Sequence, residues 1–339
     1  MKKIFIFLLL FLYSTKIFAI TLSEALMQAY KTNPELNAER ENANASKQEL
    51  NISKSEFLPS ITLSGSKSSQ DTSKLTNQDG SNATISDVNP ETKSVKIEQK
   101  IFQGLGGVAD LKKNKIGLKI ADAELLSVEQ SILLKAVEAF SGVIFANEKF
   151  IIYQRNLNLI ERQVDMDQIR LERGQVSVAD LAQSESSLAE ANAKFIQSKN
   201  NVITAKLNYE NIIGPLNDTF ELEKNVNINL KIPISLKNAI FISKNSNPNL
   251  IISKLEFEQS EKDVQIAQAD LAPSATLSFE SKETDDFSST YDQQDKETIE
   301  ATIKWPIFSG GKNYAGLSKS KNLRNRKKLL YENAIKVND

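Results

Sequence analysis

The strongest constraint on this sequence is the stretch from Gly104 to Ile213, which contains no proline and repeats apolar residues every seven positions. In its first part the repeating residues are Leu111, Leu118, Leu125, Ile132, Ala139, Ala146, Tyr153 and Ile160. In its last part they are Leu181, Leu188, Phe195, Val202 and Tyr209. Such heptads are typical of helices that pack as a coiled coil. Residues 173–177, which include Gly174, predict a corner between the two parts. We therefore predict a helical hairpin over residues 105–213 with a first arm about 100 Å long.

Four short segments have a different period, because apolar and polar residues alternate along them. The pattern predicts strands at about residues 60–67, 94–102, 274–281 and 298–308. In the second of these, Val95 and Ile97 alternate with charged residues. Each strand would therefore have one apolar and one polar face. The side chains predicted to line a water-filled lumen from the polar faces are Lys96, Glu98, Lys100, Glu300, Thr302 and Lys304.

The chain also repeats itself. Asn33-Pro34 aligns with Asn247-Pro248 at an offset of 214 residues, and Phe102 aligns with Phe308 at an offset of 206 after a shorter loop. An internal duplication explains both alignments. The predicted parts are a first repeat at 20–214, a connecting segment at 215–234 and a second repeat at 235–339. The second copy begins a helix but lacks the corner and return arm, so we expect a truncated product or a fragment.

The N-terminus predicts export. Residues 1–19 start with Lys2 and Lys3 after Met1, continue with an apolar run, and end with a short segment that contains Lys16 and Ala19. This is the order of a secretory signal peptide. Its removal would take away three lysines and lower the formal net charge from −1 to −4, so nothing indicates a nucleic-acid partner. The sequence contains no cysteine and no histidine, which excludes disulfides, thiolate chemistry, histidine triads and ordinary zinc sites. We expect no metal and no cofactor.

Two further patterns have plain interpretations. Gly104, Gly106 and Gly107 superficially resemble a phosphate-binding loop, but the Lys-Ser/Thr of a P-loop is missing and no parallel-sheet pattern surrounds them. A flexible joint between strand and helix is the better interpretation. Carboxylates are plentiful, but no pair stands in a recognisable acid–base setting, and charged residues on helices are usually solvated. We therefore do not expect an enzyme.

The four strands suit an outer membrane. Each has about the nine to eleven residues that cross it obliquely, with one face for lipid and one for water. Four strands cannot close a barrel, and open edges are not tolerated in lipid, so several chains must contribute. Three chains would supply twelve strands. The predicted aromatic girdle consists of Phe102, Trp305 and Phe308. The alternative is a soluble domain with two ordinary hairpins, which the signal peptide and the long helices make less attractive.

Taken together, the motifs resemble those of TolC-like outer membrane efflux proteins. The matching stretches are Asn33-Pro34-Glu35-Leu36, Leu58-Pro59, Ile101-Phe102-Gln103-Gly104, Arg170-x3-Gly174-x5-Asp180, Ile213-Gly214 and Pro306-Ile307-Phe308-Ser309-Gly310-Gly311. The resemblance implies a mainly α-helical chain with membrane β-strands, assembled as a homotrimer with a twelve-stranded barrel and a periplasmic helical tunnel. It also implies a passive exit duct for efflux or type I secretion, docked to an inner-membrane pump through a periplasmic adaptor.

The resemblance assigns roles to the corner as well. Gly174, Gln175 and Val176 would contact the adaptor, and Asp180 would lie where the family has a gate-stabilising aspartate. Ser177 and Asp180 also have the spacing of a capping box, which would start the return helix in any case. The cap is the favoured interpretation, although both roles can hold. The alternative function is a periplasmic adaptor without a pore, but the sequence supplies none of the lipoyl-like and barrel segments that flank an adaptor's hairpin.

Overall fold

The structure is a computed structural model that describes residues 19–82, 87–216, 221–224, 232–288 and 290–338. Only Ala19 of the predicted signal peptide, 1–19, and only parts of the connecting segment, 215–234, fall within these ranges. The helices are α1 (Leu22–Thr32), α2 (Pro34–Ser55), α3 (Gly106–Glu172), α4 (Val178–Ile212), α5 (Leu236–Ser246), α6 (Pro248–Ala269) and α7 (Lys312–Asn338). The strands are β1 (Ser60–Lys67), β2 (Glu91–Gln103), β3 (Ser274–Asp285) and β4 (Gln293–Lys304).

The chain divides into two compact units. The first comprises Met1–Glu41 and Leu125–Pro233, and the second comprises Asn42–Glu124 and Ile234–Asp339. Helices α2 and α3 contribute residues to both units. Among the described residues, none of the helices is both long enough and apolar enough to cross a membrane.

The first unit contains the corner and most of the helical hairpin, namely α3 from Leu125 onward and all of α4, and the two helices have the predicted extent. The 67 residues of α3 and the 35 residues of α4 are joined by the corner at 173–177. The heptad line of α3 is buried in its middle, at Ile132, Ala139 and Ala146, and half-buried towards both ends, and small side chains allow helices to pack closely. The buried core consists of Ala25, Ala29, Ala136, Ala139, Phe140, Val143, Tyr209 and Ile213. Farther along the arms, the rings of Phe150 and Phe195 stack with centroids 5.5 Å apart.

The second unit is organised around a four-stranded antiparallel sheet in the order β1-β2-β3-β4. The strand pair of the first half of the chain therefore lies beside the strand pair of the second half. Equivalent elements have equal lengths, since α1 and α5 have 11 residues each and α2 and α6 have 22 each. This agreement supports the duplication.

The strand boundaries differ from the sequence prediction at three of the four strands. We predicted 274–281 for the third strand, and β3 continues to Asp285. We predicted a last strand over 298–308, but β4 runs from Gln293 to Lys304. Pro306 has no N–H for a ladder, and the partner strand β3 begins at Ser274, opposite Lys304. We predicted 94–102 for the second strand, and β2 extends beyond both ends. It also contains a bulge, because the register shifts between Lys100 and Phe102.

Candidate functional site

One face of the sheet is an exposed apolar surface. Ile61 is paired with Ile97, Ile97 with Phe279, and Phe279 with Ile299. Directly paired residues of antiparallel strands lie on the same face, so these four side chains form a row across all four strands. The row on one side adds Leu63 and Val95 on β1 and β2 but continues to Ser281 and Glu297 on β3 and β4. The rows on the other side add Leu277, Ala301 and Ile303. A single isoleucine on a surface is normal, but a continuous apolar face calls for a covering partner.

The opposite face is polar. Glu98 is paired with Ser278, which is paired in turn with Glu300. The row beside it joins Lys96 to Glu280, and Lys96 Nζ lies 2.7 Å from Glu98 Oε2. All six residues predicted to line a lumen fall on this face: Lys96, Glu98, Lys100, Glu300, Thr302 and Lys304. The structure thus places the predicted set together on one face of the sheet.

The predicted aromatic residues lie near the end of the sheet where β2 and β4 finish. The bulge in β2 pairs Phe102 with Ala275 and so turns its side chain to the apolar face. Trp305 follows β4 directly; its indole N–H donates to the carbonyl of Leu271 at 3.1 Å, and 62% of the residue stays exposed. Phe308 is 82% exposed but lies beyond the strand, not at its end as predicted.

The far end of the apolar face is charged, which the alternation pattern did not reveal. Lys67 lies 3.2 Å and Lys93 3.4 Å from the carboxylate of Glu91, and Lys93 lies 4.0 Å from Asp285. The pattern of a single strand does not show this cluster, because Lys67 of β1 and Asp285 of β3 join it from the neighbouring strands. The apolar band is therefore bounded by aromatic residues at one end and by ion pairs at the other.

Both outer strands of the sheet have a free edge. Within the described residues, β1 pairs only with β2, and β4 pairs only with β3. Each outer strand leaves one row of N–H and C=O groups without a partner strand. Such edges can accept a strand from another chain.

The joint between β2 and α3 is tightly packed. Gly104 has φ +57°, and a Cβ atom there would lie 2.6 Å from Ala272 Cβ and 2.8 Å from the carbonyl oxygen of Ala269. The sequence predicted a flexible joint, but the close approach of the chain after α6 leaves no room for a side chain. Glycine is therefore needed for both its conformation and its size.

The hairpin corner has a defined backbone structure. The N–H of Gln175 donates to the carbonyl of Arg170 at 2.8 Å, and the N–H of Gly174 donates to the carbonyl of Leu171 at 2.9 Å. This is the Schellman pattern, which requires a left-handed residue after the helix, and Gly174 has φ +69°. Gly174 and Gln175 are exposed and Val176 is half-buried, so the predicted contact residues lie together on a shaped tip.

The start of the return helix has a complete capping box. The N–H and O–H of Ser177 donate to Asp180 Oδ2 at 2.8 and 2.7 Å, and the N–H of Asp180 donates to Ser177 Oγ at 3.3 Å. These hydrogen bonds favour the charged carboxylate, so they lower the pKa of Asp180, with a smaller contribution from Arg170. The structure therefore shows the favoured role, the helix cap.

Comparisons with known proteins agree with this architecture. Residues 25–215, more than half of the chain, match the family model described as outer membrane efflux protein. The chain is 25% identical over 303 residues to the outer membrane efflux protein BepC of Brucella suis, covering 89% of this chain and 63% of BepC. It is 21% identical over 305 residues to the alkaline protease secretion protein AprF of Pseudomonas aeruginosa, covering 88% of this chain and 63% of AprF. The chain thus spans a little less than two thirds of these relatives.

The fold matches solved structures of outer membrane channels. The Campylobacter jejuni CmeC outer membrane channel aligns with a TM-score of 0.77 and 18% identity, covering 93% of this chain and 68% of CmeC. The Vibrio cholerae outer membrane protein VceC aligns with a TM-score of 0.76 and 15% identity, covering 93% of this chain and 75% of VceC. At these identities the likeness concerns the fold.

Proposed function

Because the chain belongs to the outer membrane efflux protein family, we propose that it forms part of a passive exit duct in the outer membrane. The observation that carries this proposal is the sheet with one apolar face, one charged face and two free edges. A membrane barrel needs lipid-facing and water-facing residues to alternate in this way. In the soluble-hairpin alternative, the row of Ile61, Ile97, Phe279 and Ile299 would have to be covered by some other part of the protein.

Completion of the barrel requires other copies. Backbone groups on a free strand edge are not satisfied in lipid, so β1 and β4 must each find a strand partner there. Three copies supply twelve strands, which leave space for an aqueous lumen. In this homotrimer the Lys96 and Glu98 face would line the lumen. Phe102 and Trp305 would lie at the membrane interface, where aromatic side chains are favoured; Phe308, beyond β4, would belong to the same girdle.

The helical hairpin would continue the duct into the periplasm. We propose that Gly174, Gln175 and Val176 contact a periplasmic adaptor, which connects the duct to an inner-membrane pump. One relative is named an outer membrane efflux protein and another an alkaline protease secretion protein. These names support a duct that serves either efflux or type I secretion. Asp180 caps α4, and a second role in gating remains part of the proposal.

The sheet argues against the alternative function, a periplasmic adaptor without a pore. An adaptor needs a hairpin but has no use for a sheet with a continuous apolar face, whereas a channel uses both. The proposed duct is a passive path for its substrate, and the energy for transport comes from the partner pump. We therefore propose that the chain catalyses no reaction and needs no cofactor.

A pair of neighbouring residues on β3 tests the membrane assignment. The sequence has no cysteine, so Leu277→Cys and Ser278→Cys each introduce a single thiol. After spin labelling in liposomes, the label at 277 should be accessible to oxygen dissolved in lipid. The label at 278 should be accessible to a water-soluble nickel chelate. Equal accessibility of both labels to the aqueous reagent would refute the membrane sheet.

Assembly is tested at the free edges. A chain with Ile61→Cys on β1 and Ile299→Cys on β4 should be linked by a bifunctional thiol reagent into species of up to three chains. Each single variant has one thiol per chain, so it should give at most crosslinked pairs of chains. A detergent-independent monomer without crosslinks would contradict the proposed trimer.

A further inference from the structure

A partly buried polar contact joins the two arms of the hairpin close to the corner. Asp167 lies in α3, five residues before the helix ends, and Ser184 lies in the second turn of α4. The hydroxyl of Ser184 donates to Asp167 Oδ2 at 2.6 Å. Ser184 is 7% exposed and the Asp167 side chain is 14% exposed, so water competes weakly for this hydrogen bond.

Arg170 connects this contact to the corner. Its guanidinium Nη1 lies 3.4 Å from Asp167 Oδ1, and its backbone carbonyl accepts the N–H of Gln175 at 2.8 Å. The charge of Arg170 also favours the ionised carboxylate of Asp180. Arg170 therefore acts on both ends of the corner, and Asp167 holds Arg170 while Ser184 holds Asp167. We call Asp167, Arg170 and Ser184 the inter-arm clamp.

We propose that Asp167 is a positioning residue for the tip formed by Gly174, Gln175 and Val176. The inference rests on the proposed function in one respect, namely that this tip docks to a partner. Apart from its local backbone hydrogen bonds and the helix cap, the corner is open around Gly174, since nothing lies within 4 Å of a Cβ atom built there. A contact surface that is ordered before binding loses less conformational entropy when it docks.

The inter-arm clamp differs from an ordinary contact between helices. The Phe150 and Phe195 stack also joins α3 to α4, but it lies farther from the corner and involves no residue of the Schellman pattern. Loss of the clamp frees the Arg170 side chain and the start of α4 together. The hydrogen bonds of the corner should then open more often, while the rest of the hairpin stays closed.

Amide hydrogen exchange measures this opening directly. In Asp167→Ala and Ser184→Ala, exchange at Gly174 and Gln175 should accelerate about tenfold, the size expected for loss of a hydrogen bond to a charged group. Ser184→Thr keeps the hydroxyl and should restore slow exchange. Asp167→Asn keeps an acceptor for Ser184 but loses the attraction to Arg170, so its effect should be intermediate.

Ser198→Ala is the matched control. Ser198 is 2% exposed and lies on the same helix, but its hydroxyl donates to the carbonyl of Phe195 within α4. Exchange at the corner should remain at the wild-type rate in this variant. Equal acceleration in Ser198→Ala, or unchanged exchange in both Asp167→Ala and Ser184→Ala, would overturn the proposal. If Asp167→Ala does not fold, the comparison between Ser184→Ala, Ser184→Thr and Ser198→Ala decides it.

This experiment needs no partner protein, so it separates two possible failures. If the labels on β3 contradict a membrane sheet, the proposed duct fails whether or not the clamp orders the corner. If the membrane assignment stands but corner exchange does not respond to the clamp variants, only the positioning role of Asp167 fails.

Discussion

Replacement of Leu277 by lysine should weaken folding into a bilayer much more than the same replacement at Ser278. The two residues are neighbours on β3 and point to opposite faces of the sheet. Leu277 is paired with Gln99 and Ala301 on the apolar face. Ser278 is paired with Glu98 and Glu300 on the polar face, where a lysine would meet two carboxylates.

The size of the effect follows from the position of Leu277 in the apolar band. The nearest charged row on this face contains Glu297, which is paired with Ser281, four residues from Leu277. Four residues of a strand span about 13 Å, and a tilt of about 40° reduces this to a depth of about 10 Å. A lysine side chain can bring its ammonium group part of the way to water. We therefore expect Leu277→Lys to lower the free energy of unfolding from the bilayer by about 2 kcal/mol, the lower end of the cost of a lysine there. This corresponds to about a 30-fold change in the folding equilibrium constant.

The assay is denaturant-dependent unfolding of the mature chain in liposomes, followed by tryptophan fluorescence from Trp305, the single tryptophan. Leu277→Ala, measured in parallel, separates the loss of the leucine from the cost of the charge. A cost for Ser278→Lys equal to or greater than that for Leu277→Lys would refute the assignment of the two faces.

Three further predictions concern single positions. Gly104→Ala should lower the free energy of unfolding by about 1–3 kcal/mol, because the added Cβ has no room. Gly142→Ala should raise the free energy of unfolding by up to about 1 kcal/mol in the same denaturant titration, because Gly142 lies in a helix and nothing is within 4 Å of an added Cβ. Tyr209→Phe should stabilise the first unit, because the buried hydroxyl has no hydrogen-bond partner among the residues that the structure describes. Burial also raises the pKa of Tyr209, so the wild type should lose more stability than the variant as the pH rises above about 10, which thermal unfolding at several pH values can show. Asp180 has a lowered pKa, so its contribution as a cap is complete above about pH 4 and is lost as the pH falls towards the lowered value. Protection of the Ser177 amide, which donates to the Asp180 carboxylate, should therefore fall in that range relative to the intrinsic exchange rate. In Ser177→Ala, the Asp180 amide, which donates to Ser177 Oγ in the wild type, should lose protection at every pH. Unchanged exchange in Ser177→Ala would contradict the capping role.

The sequence predicted those features that depend on near neighbours. The heptads over 105–213 led to the helical hairpin because a helix brings residues seven apart onto one side. Alternation led to the strands and to the shared polar face of Lys96 and Glu300, because successive residues of a strand point to opposite sides. Ser177 and Asp180 were recognisable as a cap because the motif spans only four residues.

The tertiary structure alone decided the features that join distant parts of the chain. The bulge that turns Phe102 to the apolar face depends on the register between β2 and β3, and the early end of β4 depends on where β3 begins. The ion pair between Lys67 and Glu91 joins two strands, and the contact between Asp167 and Ser184 joins two helices. Local patterns determine which elements form and which face of each is apolar, whereas the pairing of elements determines which side chains meet.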